Sequence, residues 1–109
     1  MANYSTQTNL DSVFQALADP TRRAVIQQLA SGPASVSSLA EPFSMAMPSF
    51  MKHLDVLQAA GLVSSQKQGR VRTCQLNPNA MSDAEDWMGE QKRFWEARLD
   101  ALAHYVEDH

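Results

Sequence analysis

Apolar side chains recur along this chain first in short helical stripes, then in one alternating hairpin, then in a single long stripe. Leu10, Val13, Phe14 and Leu17 step by three and four residues and predict a first helix ending near Ala18. The polar, unperiodic residues 1–9 before it are expected to be disordered. Asp19-Pro20-Thr21-Arg22-Arg23 is the strongest start signal in the chain. Asp19 can accept from the free N–H groups of a first turn, and Pro20 is pre-set for the first helical position. Val25, Ile26 and Leu29 carry this second helix inward until Ser31-Gly32-Pro33 breaks it. Ser35 is placed to cap a short third helix with Val36, Leu39, Ala40 and Phe43 inward, and Pro42 with Ser44 marks a tight turn.

The helix that follows organises the rest. Phe50, Leu54 and Leu57 lie on one face, and the other carries Pro48, Ser49, Met51, Lys52, His53 and Asp55. Gly61 supplies its left-handed stop. Val63 to Lys67 and Arg70 to Leu76 then read as two strands joined at Gln68-Gly69, with Cys74 and Leu76 alternating onto one face. Two helices and a tight turn over 35–60 predict a helix-turn-helix, and the hairpin over 62–76 makes it a winged one, tipped by Lys67, Arg70 and Arg72. After Asn77-Pro78-Asn79, residues 80–107 form one long amphipathic helix in which Met81, Met88, Trp95 and Leu102 recur every seven residues, joined by Ala84, Leu99 and Val106. At 1.5 Å per residue it extends roughly 40 Å, more than so small a body needs for its own core. The expected fold is mainly α: five helices, a two-stranded wing and a single domain over 1–109. Leu10, Phe14, Met88, Trp95, Leu99, Leu102 and Val106 are assigned to a homodimer interface between the terminal helices.

Charge sharpens this picture. The chain of 109 residues is 44% hydrophobic and carries a formal charge of −3, which argues against nucleic acid only if it is evenly spread. It is not. Residues 46–76 hold Lys52, Lys67, Arg70 and Arg72 against Asp55 alone, whereas residues 77–109 hold three basic residues against eight carboxylates. The recognition helix and hairpin are a basic patch on an acidic protein, and a phosphate backbone responds to that local field. No apolar run approaches the roughly 20 residues that span a bilayer, and the polar start lacks a signal peptide's regions, so the expected location is cytoplasmic. Cys74 is the single cysteine, which excludes an intrachain disulfide and a cysteine-rich metal site.

Three blocks resemble the winged-helix repressors of the ArsR family: Ala16-Leu17-Ala18-Asp19-Pro20-Thr21-Arg22-Arg23, Lys52 through Val63, and Gly69-Arg70 at the wing. The match covers about residues 10–77, and the ending from Trp87 through Phe94-Trp95 to Leu102 is similar to a subgroup without the family's best-known metal sites. The resemblance implies a dimeric repressor of double-stranded operator DNA, released by an unidentified signal such as a small-molecule inducer. Three departures stand out. Met51 occupies a position where the family usually has a serine able to bond DNA, Ser44 one where a turn glycine is common, and Val36 to Phe43 contains no cysteine of the arsenic-sensor kind.

The residues assigned to DNA are Ser49, Met51, Lys52, His53, Lys67, Arg70 and Arg72, with Arg22 and Arg23 able to touch phosphate or else solvated or paired with Asp19. No enzyme is expected, since no phosphate loop or nucleophile elbow is present and Ser49-Phe50-Met51-Lys52 matches S-x-x-K without its companion motifs. No cofactor or metal is expected either, although Asp100 and His104 share a helix face and are weak zinc candidates. Met45, Met47 and Met51 read as adaptable packing rather than a copper site, and Cys74 as a small buried residue rather than a redox sensor. Two alternatives stand beside the repressor: a winged helix used for protein–protein contact, and a zinc-responsive repressor.

Overall fold

The computed structural model describes residues 10–108 in full and residues 2–9 only as backbone at the start of the first helix. The expected disorder over 1–9 lies outside the fully described residues. The elements, in order, are α1 (Ala2–Leu17), α2 (Pro20–Leu29), β1 (Ala34–Ser35), α3 (Val36–Ala40), α4 (Met47–Ala59), β2 (Val63–Gln68), β3 (Val71–Leu76) and α5 (Asn79–Asp108). This is a winged helix-turn-helix of five helices.

Local chemistry accounts for the boundaries. At the head of α2, the Asp19 carboxylate accepts from the backbone N–H of Arg22 at 3.0 Å and Pro20 fills the first turn. The Ser35 hydroxyl does the same for α3, accepting from the Ser38 N–H at 3.1 Å. α4 ends in a Schellman motif: the Gly61 N–H reaches the Gln58 carbonyl at 3.0 Å and the Leu62 N–H the Leu57 carbonyl at 3.1 Å. Gly61 has φ +78°, the left-handed value the motif requires. Leu57 and Leu62, brought together by that turn, are both buried. Ser44 keeps a negative φ, so the turn between α3 and α4 forms without the left-handed residue that a glycine would supply.

Two features of the sheet differ from the sequence reading. The two-stranded wing of β2 and β3 is extended into a three-stranded sheet: β1 pairs with β3, and the order is β1-β3-β2 with all pairings antiparallel. Ala34 sits opposite Cys74 and Ser35 opposite Thr73. A two-residue strand carries no alternation to read, and Ser35 serves at once as strand end and helix cap. The hairpin turn also lies one residue later than expected, because Gln68 pairs with Val71 and leaves Gly69-Arg70 as the two turn residues. Gly69 takes φ +62° at the first of those positions, the place glycine holds in II′ hairpin turns.

The core is one cluster drawn from every long element. Val13 and Ala16 of α1, Val25 and Leu29 of α2, Leu39 of α3, and Phe50, Leu54 and Leu57 of α4 close against Leu62, Val63, Cys74 and the start of α5 at Ala84. Phe43 stacks on Phe50 with ring centroids 5.7 Å apart. Only the first turns of α5 join this cluster. The rest of the helix projects, which stretches the molecule to 69 × 35 × 22 Å and gives a radius of gyration of 18.8 Å, against about 13 Å for a compact domain of this length.

Candidate nucleic-acid interface

α4 is buried along Phe50, Leu54 and Leu57, so its far side must face solvent. Pro48, Ser49, Lys52, Asp55 and Ala59 form that exposed ridge. Met47 and Met51 lie on the flank toward the wing, where they line an open groove of about 530 Å³ together with Ser35 and Ser37 of the α3 start and Arg70, Val71 and Arg72 of the wing. No side chain caps the first turn of α4. Its free N–H groups therefore remain available to an anion such as phosphate.

The seven residues assigned to DNA from sequence separate into two sets. Ser49, Lys52, Lys67 and Arg70 are exposed, and Met51 is half-buried in the groove wall. Arg72 and His53 are instead engaged within the protein. Arg72 faces Lys67 across the hairpin and folds back: its Nε donates to Ser65 Oγ at 2.9 Å and its Nη2 to Gln58 Oε1 at 3.2 Å, while Ser65 Oγ donates to the same Gln58 oxygen at 2.7 Å. This triangle ties the wing to α4. No local signal in the sequence marks Gln58, because its partners Ser65 and Arg72 lie in the hairpin.

On the opposite flank of α4, His53 Nδ1 lies 3.1 Å from Arg22 Nη1 and 3.6 Å from Asp19 Oδ2. The two adjacent arginines serve α1. Arg22 Nε donates to the Ala16 carbonyl at 2.8 Å and Nη2 to the Gln15 carbonyl at 3.1 Å, while Arg23 Nη1 donates to the Leu17 carbonyl at 2.7 Å. These are last-turn carbonyls of α1, of which Gln15 also accepts from the Ala18 N–H at 3.2 Å, and guanidinium donors satisfy such groups well. The Arg22 backbone N–H, aided by the positive charge of the Arg22 side chain, holds the Asp19 carboxyl below its ordinary value despite the opposing cost of burial.

The residues assigned to a dimer interface also divide. Leu10 and Phe14 are partly buried on the core of their own chain, and Phe14 meets Trp87 edge to face at 5.8 Å. Met88, Trp95, Leu99, Leu102 and Val106 remain open, with Trp95 64% and Val106 65% exposed. Asp100 and His104 are exposed on α5, and among the described residues no group of three or more His, Cys, Asp or Glu side chains comes together. Cys74 is fully buried, and burial pushes its thiol up. No helix among the described residues is long and apolar enough to cross a membrane.

A half-exposed helix behind a turn, with a basic hairpin beside it, defines a winged helix-turn-helix DNA-binding protein. A family model described as a helix-turn-helix domain matches residues 17–66, from the end of α1 into β2. The HTH-type transcriptional regulator Rv2034 of Mycobacterium tuberculosis is 36% identical over 94% of this chain and 94% of its own. The transcriptional repressor SdpR of Bacillus subtilis is 33% identical over 72% of this chain and 88% of its own. Among solved structures, an ArsR family transcriptional regulator superposes with a TM-score of 0.79 at 52% identity, covering 83% of this chain and 93% of that one. An ArsR-like regulator from Rhodococcus sp. RHA1 gives 0.75 at 34% identity, covering 90% of this chain and 92% of that one. The chain belongs to the ArsR family of winged helix-turn-helix transcriptional regulators. It is a DNA-binding transcriptional regulator.

Proposed function

We propose that this regulator is a homodimeric repressor that lays the exposed ridge of α4 in the major groove. Ser49 and Lys52 meet base edges and phosphates there, Met51 packs against the groove wall, and Arg70 with Lys67 reaches the flanking backbone. Arg72 supports the wing from behind, and His53 supports α4. The observation that carries this reading is the free ridge of α4 beside a groove that ends at Arg70. The uncapped α4 start adds open N–H donors at the same place. Two copies joined through α5 would present two such ridges to half-sites about one helical turn, roughly 34 Å, apart. Release by a small-molecule inducer completes the proposal, and SdpR, a repressor by name, supports the direction of control.

Fluorescence anisotropy tests it, with a labelled duplex from upstream of the coding region and an unrelated duplex, each at two salt concentrations. Tight, salt-sensitive binding that prefers the upstream duplex is expected. Lys52→Ala and Arg70→Ala should each weaken binding and reduce the salt slope by about one. Unchanged affinity for both variants would overturn this placement. A stable dimer without salt-sensitive DNA binding would favour a winged helix used for protein contact.

A further inference from the structure

Arg22 joins three helices with one planar group. Two of its donors are spent on the Ala16 and Gln15 carbonyls at the end of α1, and the third points at His53 Nδ1 of α4, 3.1 Å away. A guanidinium only donates, so in this contact Nδ1 is the bare, accepting nitrogen of the imidazole. Because the fork is rigid and already fixed on α1 by two bonds, the direction of the third donor is fixed as well. The contact spans 31 residues of sequence. It registers α4 against α1 on the flank away from the wing, while the Gln58–Ser65–Arg72 triangle holds the flank toward it. Beyond the buried face of Phe50, Leu54 and Leu57, a helix tied on both flanks resists rolling about its axis more than one tied on a single flank. α1 in turn packs along α5 through Phe14 and Trp87, and α5 carries the open apolar face.

We propose that His53 is a positioning residue: through Arg22 it sets the roll of α4 relative to α1, and so the separation at which the two recognition helices of the dimer meet DNA. This rests on the dimeric DNA-binding reading above. His53 is half-buried on the α2 side of α4 rather than on the ridge of Pro48, Lys52, Asp55 and Ala59, and its Nδ1 is already taken. Nε2–H is the polar group this leaves on the ring, and affinity for a single half-site separates a contact made through it from a geometric contribution.

The test uses the full-length protein and an operator selected by the wild type from a random duplex pool. Affinities are measured on that operator, on versions with the half-sites moved one base pair closer or further apart, and on a duplex holding one half-site. His53→Leu keeps the bulk without the acceptor, and His53→Asn restores an acceptor oxygen at similar reach. His53→Leu should reduce discrimination between the spacings by roughly two- to tenfold, as befits one hydrogen bond, and leave single half-site affinity unchanged. His53→Asn should recover most of the discrimination. If thermal melting shows His53→Leu unfolded, Arg22→Lys, which keeps the charge and loses the fork, is judged by the same spacing comparison. Equal loss on every duplex, the single half-site included, would mean a direct DNA contact and overturn the proposal. Unchanged discrimination would overturn it too. A wild type that selects no operator fails the underlying function instead, so the two failures are distinguishable.

Discussion

Asp19 shows how much one side chain settles. Its carboxylate caps α2 through the Arg22 N–H and stands 3.6 Å from His53. The capping bond, which is stronger to the ionised form, is the largest cause that lowers its pKa from 3.8. A carboxyl with a folded value below its unfolded one stabilises the protein above the unfolded value, and loses that contribution as pH falls through the folded one. Denaturation followed below about pH 4 should therefore show a loss of stability that Asp19→Asn abolishes, because the amide still caps but does not titrate. Asp19→Ala should cost about 0.5–2 kcal/mol at neutral pH as well. An unchanged acid limb in Asp19→Asn would assign the slope to other carboxylates. The cap was legible in Asp19-Pro20. What Arg22, Arg23 and His53 do was not, because their partners depend on the angle at which α1 meets α2 and α4. A helical wheel places His53 beside the exposed face, and only the packed neighbour shows that the ring is occupied.

At the scale of elements, the connection from α4 into the wing is the sensitive joint. Gly61 ends α4 at φ +78°, and the same turn seats Leu62 in the core and starts β2 one residue later. A Cβ at Gly61 would meet only the Ala80 Cβ at 3.9 Å, an ordinary contact, so space is not the obstacle. The cost is conformational: Gly61→Ala should destabilise by about 1–2 kcal/mol in urea unfolding, the penalty of a left-handed backbone with a side chain. A neutral substitution would mean that the turn can refold without the Schellman bonds. This joint was readable because helix period, glycine and strand alternation are all local signals. The two misread features of the sheet were not local. β1 exists because Ala34 and Ser35 happen to pass Cys74 and Thr73, and the hairpin register is set by the whole ladder from Val63 opposite Leu76 to Gln68 opposite Val71. The exposed ridge of α4 was legible for a simple reason: three core residues fix which side is left over.

The whole molecule is longer than its core can justify. α5 runs for 30 residues, yet Ala84 near its start is its one buried side chain among the described residues. Beyond it, Trp95, Leu99, Leu102 and Val106 continue the apolar stripe into solvent, each more than half exposed. The Lys92–Glu96 pair at 4.0 Å and Arg98 over the Phe94 ring at 5.1 Å are single-helix contacts. They support the helix and cover none of that stripe. A second copy applied through a two-fold axis would cover it with the same residues, and would at once place two recognition ridges on one duplex. Trp95→Glu combined with Leu102→Glu should leave the exposed helix folded, since neither side chain is in the core, but convert the protein to a monomer in light scattering. Operator affinity should then fall by about 10²–10⁴, the avidity of two linked contacts, while binding to one half-site persists. If the double variant stays dimeric, the two-fold axis lies elsewhere. If it becomes monomeric and binds the operator as before, one ridge of α4 suffices and the half-site geometry proposed here is wrong. The seven-residue spacing of Met81, Met88, Trp95 and Leu102 made this surface visible in the sequence, because a stripe that outruns its own core is a property of spacing alone.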